Sequence, residues 1–379
     1  MGMGTKKVQL VAALAMIFCL MSFSLWKSSS KFASFKGIVT QSTFVNLSST
    51  AKKLNRPSLT FHFIHSTYSS TFQLQNVRAI ESVFYHHPNA KVTIHYTDKN
   101  ITRLRPLLQI KNEAGYDLRF EEYNLKDLVE AAVSIPNNTI NKTAAHAWMG
   151  KVETYAKAKF WYSHQTDGVR LLLLYTQGGI YLDTDMIVVK PLDGLRNVLG
   201  RESPRFLNGA ILIFDKQNTF LADCINEYFT TFKNGPWGFN GPMLLTRVQK
   251  REPYASCQNH SNDETRRREG ENADAATTNC IADDDFKCWT DSRPYCPVAV
   301  LDKAAFYPLH WSKVFRGCFK DPLNNASTIK ANIDASSYSV HTYARISEKY
   351  WKTTSNQTAP NTLCRWLLNA FCIFCEIIL

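Results

Sequence analysis

Asp183 and Asp185 are the residues whose type and spacing most directly allow chemistry. On extended backbone, carboxylates at i and i+2 project to the same side. Two such carboxylates make a hard oxygen site for Mg²⁺ or Mn²⁺, of the kind that substrate phosphates complete. An ion there neutralises charge on a departing diphosphate. The pattern alone is weak, because an Asp-x-Asp arises about once by chance in a chain of this length. Asp283-Asp284-Asp285, in a polar stretch, reads as a solvated loop. Context lifts the first pair. Gly178-Gly179 precedes it, and the apolar runs Leu171–Leu174 and Met186–Val189 flank it. Charged residues in such surroundings are rarely there for solubility.

Asp167 and Arg170 stand one helical turn apart ahead of the pair. They read either as an N-terminal cap with a surface ion pair, or as an acceptor for sugar hydroxyls beside a guanidinium clamp.

The surrounding elements position these groups. LTFHFIH (59–65) reads as a buried strand and 71–88 as a helix stopped by Pro88. KVTIHYT (91–97) is a strand, 101–112 a short helix and YDLRFEEY (116–123) a strand. This alternation predicts an α/β fold: a parallel sheet with helices on its faces and ligands at the carboxyl ends of its strands. Segment 124–165 reads as helical around Pro136, and 166–179 as a helix closed by Gly178. IYLDTDMIVVKPL (180–192) is one strand or two broken at the Asp pair. FLNGAILIFD (206–215) is a strand and 218–234 an amphipathic helix.

The chain has 379 residues, 45% of them hydrophobic, enough for a sizeable buried core. The net charge of +12 is scattered, and Arg266-Arg267-Arg268 is flanked by acids, so no nucleic-acid partner is expected. Lys6-Lys7 followed by apolar Val8–Trp26 reads as a retained signal anchor rather than a cleaved leader, because no small-x-small site follows it. Seven Asn-x-Ser/Thr sites lie beyond it, at Asn46, Asn100, Asn137, Asn141, Asn259, Asn325 and Asn356. Ten cysteines, with a single C-x-x-C and no second pair, favour disulfides in an oxidising lumen over zinc. The organisation read from these features is residues 1–26 tail and anchor, 27–57 stem, 58–350 catalytic domain and 351–379 apolar tail. Within the catalytic domain, 251–297 is a surface excursion closed by disulfides.

The run TDGVRLLLLYTQGGIYLDTDMIVVKPL resembles the signature of glycosyltransferase family 32, the DxD sugar-binding proteins. LNGAILIF (207–214) and NGPWGFNGPMLLTRV (234–248) resemble its α-1,4-galactosyltransferase and α-1,4-N-acetylglucosaminyltransferase branch. The similarity covers roughly residues 59–350. It implies a GT-A-type, Rossmann-like sheet, a UDP-sugar donor, Mn²⁺ and transfer with retention by front-face displacement. It also implies a glycolipid or glycan acceptor and a single-pass type II Golgi membrane protein with a luminal catalytic domain. By match, Asp183 and Asp185 would ligate the metal, Asp167 and Arg170 would meet the donor sugar, and His341 would touch metal or diphosphate. Asn208 is a further donor-pocket residue. Asn240 stands where the branch has Gln, near the reacting face. After the late histidine the family has Trp and then Asn, where this chain has Tyr343 and Ala344.

Overall fold

In a computed structural model, residues 58–66, 72–97, 107, 115–257, 296–312, 315–320, 326–347 and 362–373 are described. All fall within the unit Arg56–Leu379. The anchor, the stem, most of the 101–112 helix and most of the 251–297 excursion lie outside the described residues, as do the sites at Asn46, Asn100, Asn259, Asn325 and Asn356. Among the described residues, no helix is long and apolar enough to cross a membrane.

Strands β1 (Thr60–His65), β2 (Lys91–Tyr96) and β3 (Asp117–Glu122) open a seven-stranded sheet. It continues through β4 (Gly179–Leu182), β7 (Leu207–Phe214), β6 (Val198–Arg201) and β8 (Ala299–Leu301), in the order β3-β2-β1-β4-β7-β6-β8. β5 (Met186–Val188) and β9 (Ser339–His341) form a separate antiparallel ladder. The expectation of a wholly parallel sheet needs one correction: β7 runs antiparallel to both β4 and β6. That reversal has a consequence for the site. The start of β7, at Asn208 and Gly209, lies at the same edge as the carboxyl ends of β4 and β6.

Helix α1 (Leu74–His86) begins at a reciprocal cap between Gln73 and Asn76. Helices α2 (Leu125–Val133) and α3 (Lys142–Met149) are capped by the side chains of Asn124 and Asn141. The segment around Pro136 is thus two helices with a break between them. Helix α4 (Trp161–Gln177) ends at Gly178, whose φ of +69° suits a residue without a Cβ. Helices α5 (Thr219–Thr231) and α6 (Pro242–Gln249) follow β7.

Two apolar clusters flank the sheet. One gathers Val169, Leu173, Phe220 and Leu244 from α4, α5 and α6 around Trp148. The other seats Val77, Ile80 and Phe84 of α1 on Phe61, Phe63 and Ile94 of β1 and β2. A third joins Ile187 and Val340 of the β5–β9 ladder to Leu363, Leu367 and Leu368 of α7 (Leu363–Ala370). Burying such side chains stabilises by about 1.5–3 kcal/mol each before entropy is counted. The disulfide Cys318–Cys364 ties α7 to the 315–320 segment, and Cys257–Cys296 brackets the residues between them. Cys224 is free and buried.

Candidate active site

The Asp pair does not sit on extended chain. β4 stops at Leu182 and β5 starts at Met186, and the Met186 amide bonds the Asp183 carbonyl at 3.0 Å across a turn. The turn is pinned from both sides. The Asp183 amide donates to the Ala210 carbonyl of β7 at 2.7 Å, and Asn76 Nδ2 of α1 donates to the Thr184 carbonyl at 2.9 Å. The two carboxylates therefore converge through a tight turn between strands, not through strand periodicity.

The β5–β9 ladder brings His341 opposite Met186, next in chain to Asp185. His341 Nε2 lies 3.3 Å from Asp185 Oδ1, and the Ala344 amide donates to Asp185 Oδ2 at 2.7 Å. Burial pushes the Asp185 carboxyl up, but His341 and the Ala344 N–H outweigh it and hold the group below its usual range. Burial opposes charge on His341, but Asp185 first, then Asp183 and Glu202, raise the imidazole above its ordinary value. The contact thus favours the carboxylate form of Asp185 and the protonated form of His341.

Arg170 occupies the centre. Its Nη1 donates to the Gly209 carbonyl at 2.6 Å and lies 3.3 Å from Asp183 Oδ1, and its Nη2 lies 3.4 Å from Asp167 Oδ1. The guanidinium packs on the Tyr181 ring, 4.6 Å from its centroid, and the Tyr181 hydroxyl donates to Asp183. Burial works against the guanidinium charge, yet Asp183, Tyr181 and Asp167 hold its pKa above the ordinary value.

Asp167 is not a helix cap. Because α4 begins at Trp161, Asp167 lies in its second turn, 6% exposed. Burial pushes its carboxyl up to about 7, against the pull of Arg170. A Cβ on Gly241 would lie 2.4 Å from Asp167 Oδ1, so only glycine lets the 241 backbone approach this carboxylate.

Asn208, at the start of β7, accepts from the Ala210 amide at 2.8 Å and donates to Glu202 Oε2 at 3.0 Å. Asn240 does not join the cluster. It is buried, and its amide both accepts from the Lys233 amide at 3.0 Å and donates to the Lys233 carbonyl at 2.8 Å. In this structure its side chain clasps the 233–240 loop.

Asp183, Asp185 and His341 fit a divalent cation. One ligand atom from each lies within 4.8 Å of the others. Two carboxylates and an imidazole suit Mn²⁺ or Mg²⁺. His341 presents Nε2 to Asp185, and among the described residues its buried Nδ1 has no hydrogen-bond partner. A cation would bind the neutral imidazole, so it would compete with the proton that Asp185 favours there.

Sequence reasoning passed over Glu202, Tyr181, Asn76 and Gly241. Their periodicity is that of ordinary strand, helix and loop positions, and only the folded chain places them beside the carboxylates.

Residues 74–205 match the glycosyltransferase sugar-binding region containing a DXD motif, and residues 213–272 match the alpha 1,4-glycosyltransferase conserved region. Asp167, Arg170, Asp183, Asp185 and Glu202 lie in the first, Asn240 and Gly241 in the second. The chain is similar to rat lactosylceramide 4-alpha-galactosyltransferase, with 35% identity over 48% of this chain and 41% of the rat protein. It is also similar to human alpha-1,4-N-acetylglucosaminyltransferase, with 28% identity over 29% of this chain and 32% of that one. The match thus spans less than half the length of either relative. The solved PaToxG glycosyltransferase is 16% identical over 56% of this chain and 76% of its own, with a TM-score of 0.39, too slight a likeness to bear on function. Over residues 74–205 and 213–272 the chain belongs to the glycosyltransferases that combine a DXD-containing sugar-binding region with an alpha 1,4-glycosyltransferase conserved region.

Proposed function

We propose that this chain is a retaining, metal-dependent hexosyltransferase of the GT-A type. It takes a hexose from a UDP-sugar and adds it in α-1,4 linkage to a glycolipid or glycan. The observation that carries the reading is the convergence of Asp183, Asp185 and His341 on one another, with Arg170 against Asp183 on the opposite side. Galactose is the first choice of sugar and N-acetylglucosamine the second, in line with the two curated relatives. The Val8–Trp26 run and the Asn-x-Ser/Thr sites favour a type II Golgi membrane protein with the site in the lumen.

The chain's own groups have separate tasks. Asp183, Asp185 and His341 hold Mn²⁺ or Mg²⁺, which when bound supplies positive charge to a departing diphosphate. Arg170, fixed by the Gly209 carbonyl and the Tyr181 ring, cannot swing away, so its charge is pre-organised. Asp167, buried and poised to titrate near neutrality, accepts from or donates to a donor-sugar hydroxyl. Positioning of two bound substrates supplies most of the rate.

The test is a panel of UDP- and GDP-sugars with and without Mn²⁺, scored for nucleotide release and then for transfer to lactosyl and N-acetyllactosaminyl acceptors. UDP-galactose-dependent transfer that requires the metal is the expected result. Nucleotide-sugar binding with no release from any donor would leave a non-catalytic luminal sugar-binding relative as the better reading.

A further inference from the structure

The loop after β9 holds an unusual backbone in contact with the site. Tyr343 has φ +51°, a left-handed conformation that side chains with a Cβ seldom adopt and that clusters where function demands it. The kink has a visible result. On one side of it, the Thr342 amide and Oγ1 bond the Asp185 carbonyl at 3.0 and 2.9 Å. On the other, the Ala344 amide reaches Asp185 Oδ2 at 2.7 Å. Between them, the Tyr343 ring lies on the His341 imidazole, with centroids 3.9 Å apart at 33°. The Tyr307 ring stands edge-on to that imidazole, with centroids 6.0 Å apart.

The Tyr343 ring is held at its far end. Its hydroxyl lies 3.0 Å from Glu202 Oε1, to which it donates, and 3.3 Å from the Leu309 carbonyl. The other oxygen of Glu202 accepts from Asn208 Nδ2 at 3.0 Å. Glu202 thus spends both oxygens on the neutral donors of Tyr343 and Asn208. The result is a bridge from the end of β6 to the start of β7 and to the loop that follows His341.

We propose that Glu202 is a positioning residue for the divalent cation: through the Tyr343 phenol it holds the 342–344 kink, and so aims the His341 ring and the Ala344 N–H at Asp185. The inference rests on the cation reading of Asp183, Asp185 and His341. Groups that orient metal ligands typically change affinity 10–100-fold when removed.

The experiment measures Mn²⁺ binding to the full chain by electron paramagnetic resonance of the free ion, with no turnover involved. Tyr343→Phe and Glu202→Ala should each weaken Mn²⁺ about 10-fold, within that range. The double variant should be no weaker than the worse single one, because both cut the same bridge. Glu202→Gln, which still offers the phenol an acceptor oxygen, should recover most of the loss. If Glu202→Ala fails to fold, Tyr343→Phe, which removes one oxygen atom, carries the test. Wild-type binding with an unchanged Tyr343→Phe overturns the bridge alone. No Mn²⁺ binding by the wild-type chain overturns the cation reading, and the bridge with it.

Discussion

Strand β4 has a buried polar cluster at each end, and the two are built on opposite principles. Before its first residue, His62 Nε2 lies 3.0 Å from the Gly178 carbonyl. That carbonyl only accepts, so the nitrogen carries the proton. His62 Nδ1 then accepts from His95 Nε2 at 3.1 Å. Burial pulls His62 below its ordinary value, and burial, aided by His62, pulls His95 down to about 3. Both rings stay neutral. Beyond its last residue, Asp183, Arg170, Asp185 and His341 face one another as charges. The two rings of the first cluster bond each other and the main chain, with the exposed Glu121 carboxylate 3.9 Å from His95 Nδ1. The second keeps charge in place at a cost, with His341 Nδ1 unmatched. A buried polar group that is neutral and bonded belongs to the framework. A buried charge that stays incompletely matched is a reason to look for a ligand.

The largest expected difference is in activity. Asp185→Ala should lower transfer by on the order of 10³-fold, the scale of losing one charge-stabilising element, while the chain still folds. Retained transfer in a direct sugar-transfer assay would put the chemistry elsewhere.

At the other end, Gly179→Ala should cost about 2 kcal/mol of stability in urea unfolding, with activity per folded molecule preserved. Gly179 has φ +104°, and a Cβ there would lie 2.7 Å from the Thr60 carbonyl. A neutral effect on stability would show that this end is not rigid framework.

The subtlest contrast is in pH dependence, where the two ends have opposite signs. His95 titrates lower in the folded than in the unfolded chain, so its contribution is full above about pH 6.5 and falls away as the pH drops toward 3. The slope is at most about 1.4 kcal/mol per pH unit. Asp167 titrates higher when folded, so its contribution is full below 3.8 and is lost as the pH rises to about 7. Urea unfolding from pH 4 to 7.5 should therefore show His95→Gln flattening the loss toward acid and Asp167→Asn flattening the loss toward neutrality, the latter less because Arg170 opposes it. Slopes of the same sign in the two variants would break the comparison.

Much of the fold was legible because it is local. The spacing of Leu74, Val77, Ile80 and Phe84 made α1 readable, and the Gly178-Gly179 stop marked the start of β4. One strand or two was left open at the Asp pair, and β4 and β5 flank it as two. The start of α4 was misplaced because the polar residues Ser163, His164 and Gln165 hid its first turns. Asn240 is a different case, its side chain bonded to Lys233. A buried amide that clasps a loop and one that faces a substrate have the same sequence neighbourhood.

What the sequence alone determined is the set of groups: two aspartates between apolar runs, a third acid and an arginine one turn apart, and a late histidine. Residue type, apolar period and glycine punctuation act over a few residues, and those can be read from a chain. The tertiary structure decided how they meet. It reversed β7, so that Gly209 could hold Arg170. It paired β5 with β9, so that Thr342 bonds a residue 157 positions earlier and His341 comes against Asp185. It also set Glu202 under Tyr343. Those contacts depend on strand register and loop closure across the whole chain, where the pairing free energy is shared among many residues and no local pattern encodes it.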